Sequence, residues 1–272
     1  MTHRHTLAAA AACAAMAAVA PAAHAVTNGT PDDGRHPYVG ALVSYDPATG
    51  DKYLICSGTL VAPAVFLTAA HCLQDEPSDL YVSFDEVVGA PDVGPGVTLH
   101  HGQARGNPRF AGDTDGPGDT HDLAVVVLDA PVPGVTPARL AARNQLKKVR
   151  KRAGRLQWTV AGYGREGHDG EGFFGGGSKR SGLGAWGALQ RGTFTLSQDA
   201  PSEAGTCNGD SGGPVLLGDT VVGVSSDGDA TCARNGIYTR LDTQSAQAFV
   251  RPLLRAKPVK PVKPDKGGPK KP

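Results

Sequence analysis

From Pro37 onward the chain alternates short apolar runs with turn-rich stretches. The runs YVGALVSY, YLICSGTLVAPAVFLTAA, LYVSF, LAVVVLD, LQWTVAGYG, RGTFTLS, GPVLLG, TVVGVSS and GIYTRL are mostly of strand length and rich in β-branched residues. Their lengths and spacing predict an all-β protein built as an antiparallel barrel or sandwich. Helix is predicted in two places: a turn or so beginning at TAAHC (68–72), and TQSAQAFVRPLLRA (243–256), with Asp242 as its N-cap and Pro252 in its interior. Residues 101–120 and 164–187 are rich enough in Gly to be predicted as loops.

The two ends break this pattern. MTHRH is followed by the apolar run TLAAAAACAAMAAVA, then Pro21 and the small-x-small triplet Ala23-His24-Ala25, the layout of a secretory leader cut after Ala25. Residues 1–25 are therefore expected to be a signal peptide and 26–254 the folded domain. Residues 255–272, with their Lys-Pro repeats, are expected to be a disordered cationic tail. A chain of 272 residues admits one large β domain. Beyond residue 26 no run approaches the roughly 18 apolar residues of a membrane span, so no membrane association is expected once the leader is removed. A formal net charge of +1 argues against a protein built to bind nucleic acid, and leaves the tail a weak attraction to acidic polymers at most.

Cys13 falls in the leader. The others, Cys56, Cys72, Cys207 and Cys232, form an even set in an exported protein, where disulfides persist, and spacing alone leaves their pairing open. No Cys-x-x-Cys pair occurs, so no metal is expected, and no cofactor motif is present.

Reactive side chains gather in LTAAHC (67–72), HDLAVVVLD (121–129) and CNGDSGGPV (207–215). A hydroxyl attacks a peptide or ester carbonyl efficiently only when a neighbouring base takes its proton and fixed donors receive the oxyanion. Ser211, His71 and Asp122 supply nucleophile, base and orienting carboxylate. The glycines around Asp210 and Ser211 permit a tight turn in which the N–H groups of Gly209 and Ser211 converge on one point. Together with WTVAGYG (158–164), the cysteines and GIYTRL (236–241), these segments resemble the trypsin/chymotrypsin-like serine proteases, with the motifs in that family's order.

The resemblance implies two packed six-stranded antiparallel β-barrels with a short C-terminal helix, His71 and Asp122 on the first barrel and Ser211 on the second. It implies a secreted, monomeric serine endopeptidase that hydrolyses proteins or peptides through an acyl-enzyme. It pairs Cys56 with Cys72 and Cys207 with Cys232. It also places Gly205 at the base of the substrate pocket, followed by Thr206, where a trypsin-like Asp is absent; medium apolar side chains are the expected preference. In the wall segment VSSDG, Ser225 matches the family's serine behind the catalytic Asp, Ser226 replaces an aromatic residue, and Asp227 falls where Gly is usual. VTNG (26–29) matches the family's activated N-terminus, which implies an ion pair between the Val26 amine and Asp210 and makes leader removal the activating cut. Two other readings use the same residues: an esterase with the same triad, and a secreted binding or adhesion protein on a protease scaffold.

Overall fold

The computed structural model describes residues 26–74, 76, 79–114 and 118–256, so the expected leader and the tail from residue 257 lie outside the described residues. After the short β1 (Thr30–Pro31) come β2 (Val39–Tyr45), β3 (Lys52–Ala62), β4 (Val65–Thr68), β5 (Asp79–Ser83), β6 (His100–Gly106) and β7 (Ala124–Leu128). Strands β2 to β7 close into an antiparallel barrel in the order β2-β3-β4-β7-β6-β5. The chain crosses to the second half through β8 (Arg139–Leu140), α1 (Gln145–Val149) and a 3-10 segment, Arg150–Arg155.

The second half comprises β9 (Trp158–Gly162), the hairpin β10 (Gly167–His168) and β11 (Phe173–Phe174), then β12 (Arg180–Leu189), β13 (Thr193–Ser197), β14 (Pro214–Leu217), β15 (Thr220–Gly228) and β16 (Asn235–Arg240). It ends in α2 (Gln244–Leu253). Its barrel runs β9-β12-β13-β16-β15-β14 and closes because β14 returns to pair with β9. The chain thus forms the expected pair of six-stranded antiparallel barrels with one short helix near the C-terminus.

The two cores differ in character. Aliphatic side chains dominate the first, where Leu42, Leu60, Leu67, Leu80, Val125 and Val127 have no exposed surface. The second is built on rings. Trp158 lies 4.6 Å from Trp186, Trp186 stacks on Phe194 at 5.7 Å, and Phe194 meets Tyr238 at 5.4 Å between centroids. Such offset contacts add to area burial. In β3 the pairing with β2 slips between Leu54 and Cys56, leaving Ile55 as the extra residue of a β-bulge.

Three sequence expectations are corrected. Much of 164–187 is strand, including the start of β12, and β6 runs into the stretch 101–120 as far as Gly106. The glycines of β12 are close-approach residues rather than breakers: a Cβ on Gly182 would stand 2.3 Å from the Ala204 Cβ. The N-cap of α2 is Thr243, whose hydroxyl accepts from the Ala246 N–H at 3.1 Å. Asp242 is instead fully buried, accepting from Arg240 and from the Leu146 N–H. The five-residue α1 was not predicted, because so short a helix leaves no legible period.

Overpacking makes a direct test of the β12 contact. Gly182→Ala is expected to lower stability by about 1–3 kcal/mol, read as a lower urea midpoint at unchanged m; an unchanged midpoint would show that Ala204 yields without cost.

Candidate active site

His71 opens the 3-10 turn His71–Leu73 that follows β4, and Cys72 in that turn is bonded to Cys56 in β3. Asp122 stands just ahead of β7, which pairs with β4 through Thr68 and Ala124. That register carries Asp122 to the His71 turn, where it is fully buried. Asp122 Oδ1 accepts from the His71 main-chain N–H at 2.9 Å, and Oδ2 faces His71 Nδ1 at 2.8 Å. The Ser226 hydroxyl, from the second barrel, donates to the same Oδ2 at 2.6 Å. An ionised carboxylate only accepts, so in the neutral imidazole Nδ1 is the nitrogen that carries the hydrogen, and Nε2 is the one with the lone pair.

Ser211 sits in the turn before β14, between Gly209 and Gly212, whose φ values are +93° and +80°. That turn is held from the first barrel by one buried residue, Ser57. The Ser57 N–H donates to the Ser211 carbonyl at 2.8 Å, and its hydroxyl donates to the Gly209 carbonyl at 2.8 Å while accepting from the Tyr163 N–H at 2.9 Å. Ser211 and His71 line one cleft of about 490 Å³. Among the described residues Ser211 Oγ makes no hydrogen bond; the structure brings the serine and the histidine to one cleft without joining them. Hydrogen bonds of this kind commonly tighten only with substrate bound.

The cleft wall corrects the register read from sequence. The hydroxyl behind Asp122 belongs to Ser226, not Ser225; Ser225 instead holds the Ser211 turn through main-chain bonds with Gly212 and Gly213, each 2.8 Å. The hydroxyl that reaches Asp122 therefore lies one residue further along the chain than the sequence reading placed it. Asp227 points toward the 111–114 loop: Oδ2 accepts from the Thr114 hydroxyl at 2.5 Å and Oδ1 from the Gly228 N–H at 2.7 Å. Thr206 and Ser225 line the cleft with Asp227, whereas Gly205 does not. Gly205 is covered by Gln198, a residue that no sequence signal singles out; a Cβ there would overlap the Gln198 amide. Deeper in, the Thr206 and Tyr238 hydroxyls meet at 3.2 Å.

Asp210, next to Ser211, is fully buried and accepts from the Gly164 N–H at 2.8 Å and the Cys207 N–H at 3.0 Å. Burial pushes its carboxyl up to about 7; those N–H bonds oppose the shift, the nearby Glu166 charge adds to it, and the Val26 N–H lowers it slightly. Val26 has no exposed surface. Glu166 is itself pushed up to about 7 by burial, with the Arg180 charge pulling the other way. A second disulfide, Cys207–Cys232, ties the turn to the β15–β16 connection. Among the described residues the grouping of Cys56, His71 and Cys72 brings three ligand atoms together, but its two sulfurs are joined in a disulfide and are not thiolates.

The Trypsin family model matches residues 26–248. A trypsin from Saccharopolyspora erythraea is 28% identical over 235 residues, covering 76% of this chain and 88% of its own length. Among solved structures, HL collagenase aligns with a TM-score of 0.63 over 85% of this chain and 99% of its own, at 20% identity. Mouse neuropsin, a serine protease expressed in the limbic system of the brain, aligns at 0.61 over 84% of this chain and 98% of its own, also at 20% identity. At that identity the two structures speak for the fold, which is the double barrel described above. The family model spans both barrels and all three motif segments, and the chain accordingly belongs to the trypsin family of serine endopeptidases.

Proposed function

We propose that this endopeptidase is exported, is activated by removal of residues 1–25, and cleaves peptide bonds through Ser211, His71 and Asp122. The observation that carries the reading is the buried Asp122 carboxylate, which fixes the His71 tautomer from the first barrel and accepts from Ser226 of the second. In this reading His71 Nε2 takes the Ser211 proton as Oγ attacks the substrate carbonyl, then returns it to the leaving amine; water releases the acyl group by the reverse sequence. These roles follow the general template for such triads. The Gly209 and Ser211 N–H groups receive the oxyanion. Ser57 helps to position them, because it grips the Gly209 and Ser211 carbonyls, which holds the peptide plane carrying the Ser211 N–H from both sides and the plane directly after the Gly209 N–H.

The pocket reading favours uncharged side chains before the scissile bond. Both carboxylates lining the cleft are already engaged, Asp227 by Thr114 and Gly228, and Asp229 by the N–H groups of Thr231, Ala233 and Arg234. Activation rests on Val26 lying buried beside Asp210. A free amine there would place a charge against a carboxylate otherwise disfavoured by burial, and order the turn that carries the oxyanion donors. The protein acts on protein or peptide substrates as a monomer in this reading, and the 255–272 tail is a solubilising terminus.

A fluorophosphonate probe should label the chain starting at Val26 at Ser211, located by peptide mass mapping, and Ser211→Ala should abolish both labelling and peptide cleavage; labelling elsewhere would sink the assignment. Ser57→Ala should lower kcat by about tenfold at unchanged KM, less than the roughly hundredfold loss on removing an oxyanion donor outright. An equal rise in KM would point to a general loss of fold instead.

The activation reading has a pH signature. With Ala25 still attached, Asp210 keeps a folded pKa of about 7, above its unfolded value. Its contribution is full below the unfolded pKa of about 3.9 and is lost as pH rises through the folded value. The extended chain should therefore show a urea midpoint that falls from pH 4 to 8, and little activity. In the chain starting at Val26 the amine's pKa is raised, so its contribution persists up to the unfolded amine pKa of about 7.7–8.0 and is lost only above it. Coincident profiles and activities for the two chains would rule the ion pair out.

A further inference from the structure

Between Asp129 and Glu166 the chain contains no carboxylate. Within that interval Arg143, Lys147, Lys148, Arg150, Lys151 and Arg152 follow one another through α1 and the 3-10 segment, on the outer surface. Among the described residues none of them forms an ion pair. A solvated basic face ordinarily interleaves acidic residues, because like charges at helical spacing repel. Here the repulsion is left in place, in a chain whose net charge is only +1.

The surface also has a shape. α1, the start of the 3-10 segment, the β12–β13 turn and the end of β16 enclose a concavity of about 350 Å³ lined by Lys147, Arg150, Leu189, Gln190, Arg191 and Arg240. Arg240 serves its wall. Its guanidinium pairs with Asp242 at 2.9 and 3.1 Å, and Nη1 donates to the Gln190 and Arg191 carbonyls at 2.6 and 3.1 Å. The Asp242 carboxylate is thereby neutralised, and two carbonyl oxygens that would repel an anion are already occupied. Lys147, Arg150 and Arg191 remain to face the concavity's contents, with no ion pair among the described residues.

We propose that this concavity binds one sulfate or phosphate group of a linear acidic polysaccharide, whose neighbouring groups run along the Arg143–Arg152 cations. Three cations around one anionic group give charge-assisted contacts, and arginine offers the paired donors that suit sulfate and phosphate oxygens. Among the described residues no Phe, Tyr or Trp lines the concavity, so they offer no stacking platform of the kind with which proteins hold single-stranded nucleic acid. Tethering the enzyme to such a polymer would raise its concentration on substrates held in the same matrix. The inference does not depend on the triad assignment.

The test is surface plasmon resonance of the chain from Val26 to Pro272 on immobilised heparin oligosaccharide and on a phosphomannan oligosaccharide, across a salt series. The expected result is salt-sensitive binding to one of the two, which identifies sulfate or phosphate as the recognised group. The triple variant Lys147→Glu/Arg150→Glu/Arg191→Glu should bind that polymer at least tenfold more weakly, with a shallower salt dependence, at unchanged peptide cleavage. The charge-neutral version, Lys147→Gln/Arg150→Gln/Arg191→Gln, should weaken binding in the same direction, and serves if the acidic variant does not fold. Truncation after Ala256 should leave binding intact. Four results would each overturn the proposal: no binding to either polymer, equal binding by the folded variants, loss of binding on truncation, or tighter binding to a DNA duplex.

Discussion

One carboxylate without exposed surface, Asp122, holds the halves of the molecule in register. It belongs to the first barrel, it orients the imidazole of that barrel, and it accepts a hydroxyl from the second. A buried charge is tolerated only when its oxygens are satisfied, so the cost of leaving Asp122 short of a donor presses the two barrels together at one point. The second fastening runs the other way. Ser57 of the first barrel holds the turn of the second that presents Ser211. The cleft between the barrels is thus fixed in part by polar contacts whose loss would be expensive.

Much of this was legible in the chain, and unevenly. The His71, Asp122 and Ser211 segments stood out in combination, because all three motifs occur in one chain in the order of the family it resembles, and strand-length runs supported an all-β fold. Misreadings arose where tertiary contacts decide. Gly182 looks like a loop residue until Ala204 is seen against it. Asp242 looks like a cap until Arg240 claims it, whereupon Thr243 takes the role. Ser225 and Ser226 are adjacent and identical, and only the pairing of β15 with its neighbours shows which one reaches Asp122. Ser57 carries no local signal at all, since its side-chain partners in the second barrel lie more than a hundred residues away.

Charge shows a similar division of labour. Acidic groups at the cleft are consumed by nearby donors, as at Asp227 and Asp229, while basic groups along α1 and the segment after it form no ion pair among the described residues. A near-neutral total conceals this segregation. Long-range steering depends on where charges sit as much as on their sum, so the net figure alone understates the electrostatic asymmetry of the surface.

The bulge at Ile55 in β3 acquires its meaning from the two residues directly after it. Cys56 anchors the His71 turn through its disulfide, and Ser57 grips the Ser211 turn. Successive residues of a strand point to opposite sides, so one short stretch of backbone addresses both halves of the site at once. The extra residue acts as a phase setter: without it the strand beyond would turn over, and the anchors for both turns would exchange faces together. Tolerance to insertion or deletion in this protein is therefore expected to be lowest there, in a strand that contributes no reacting group of its own.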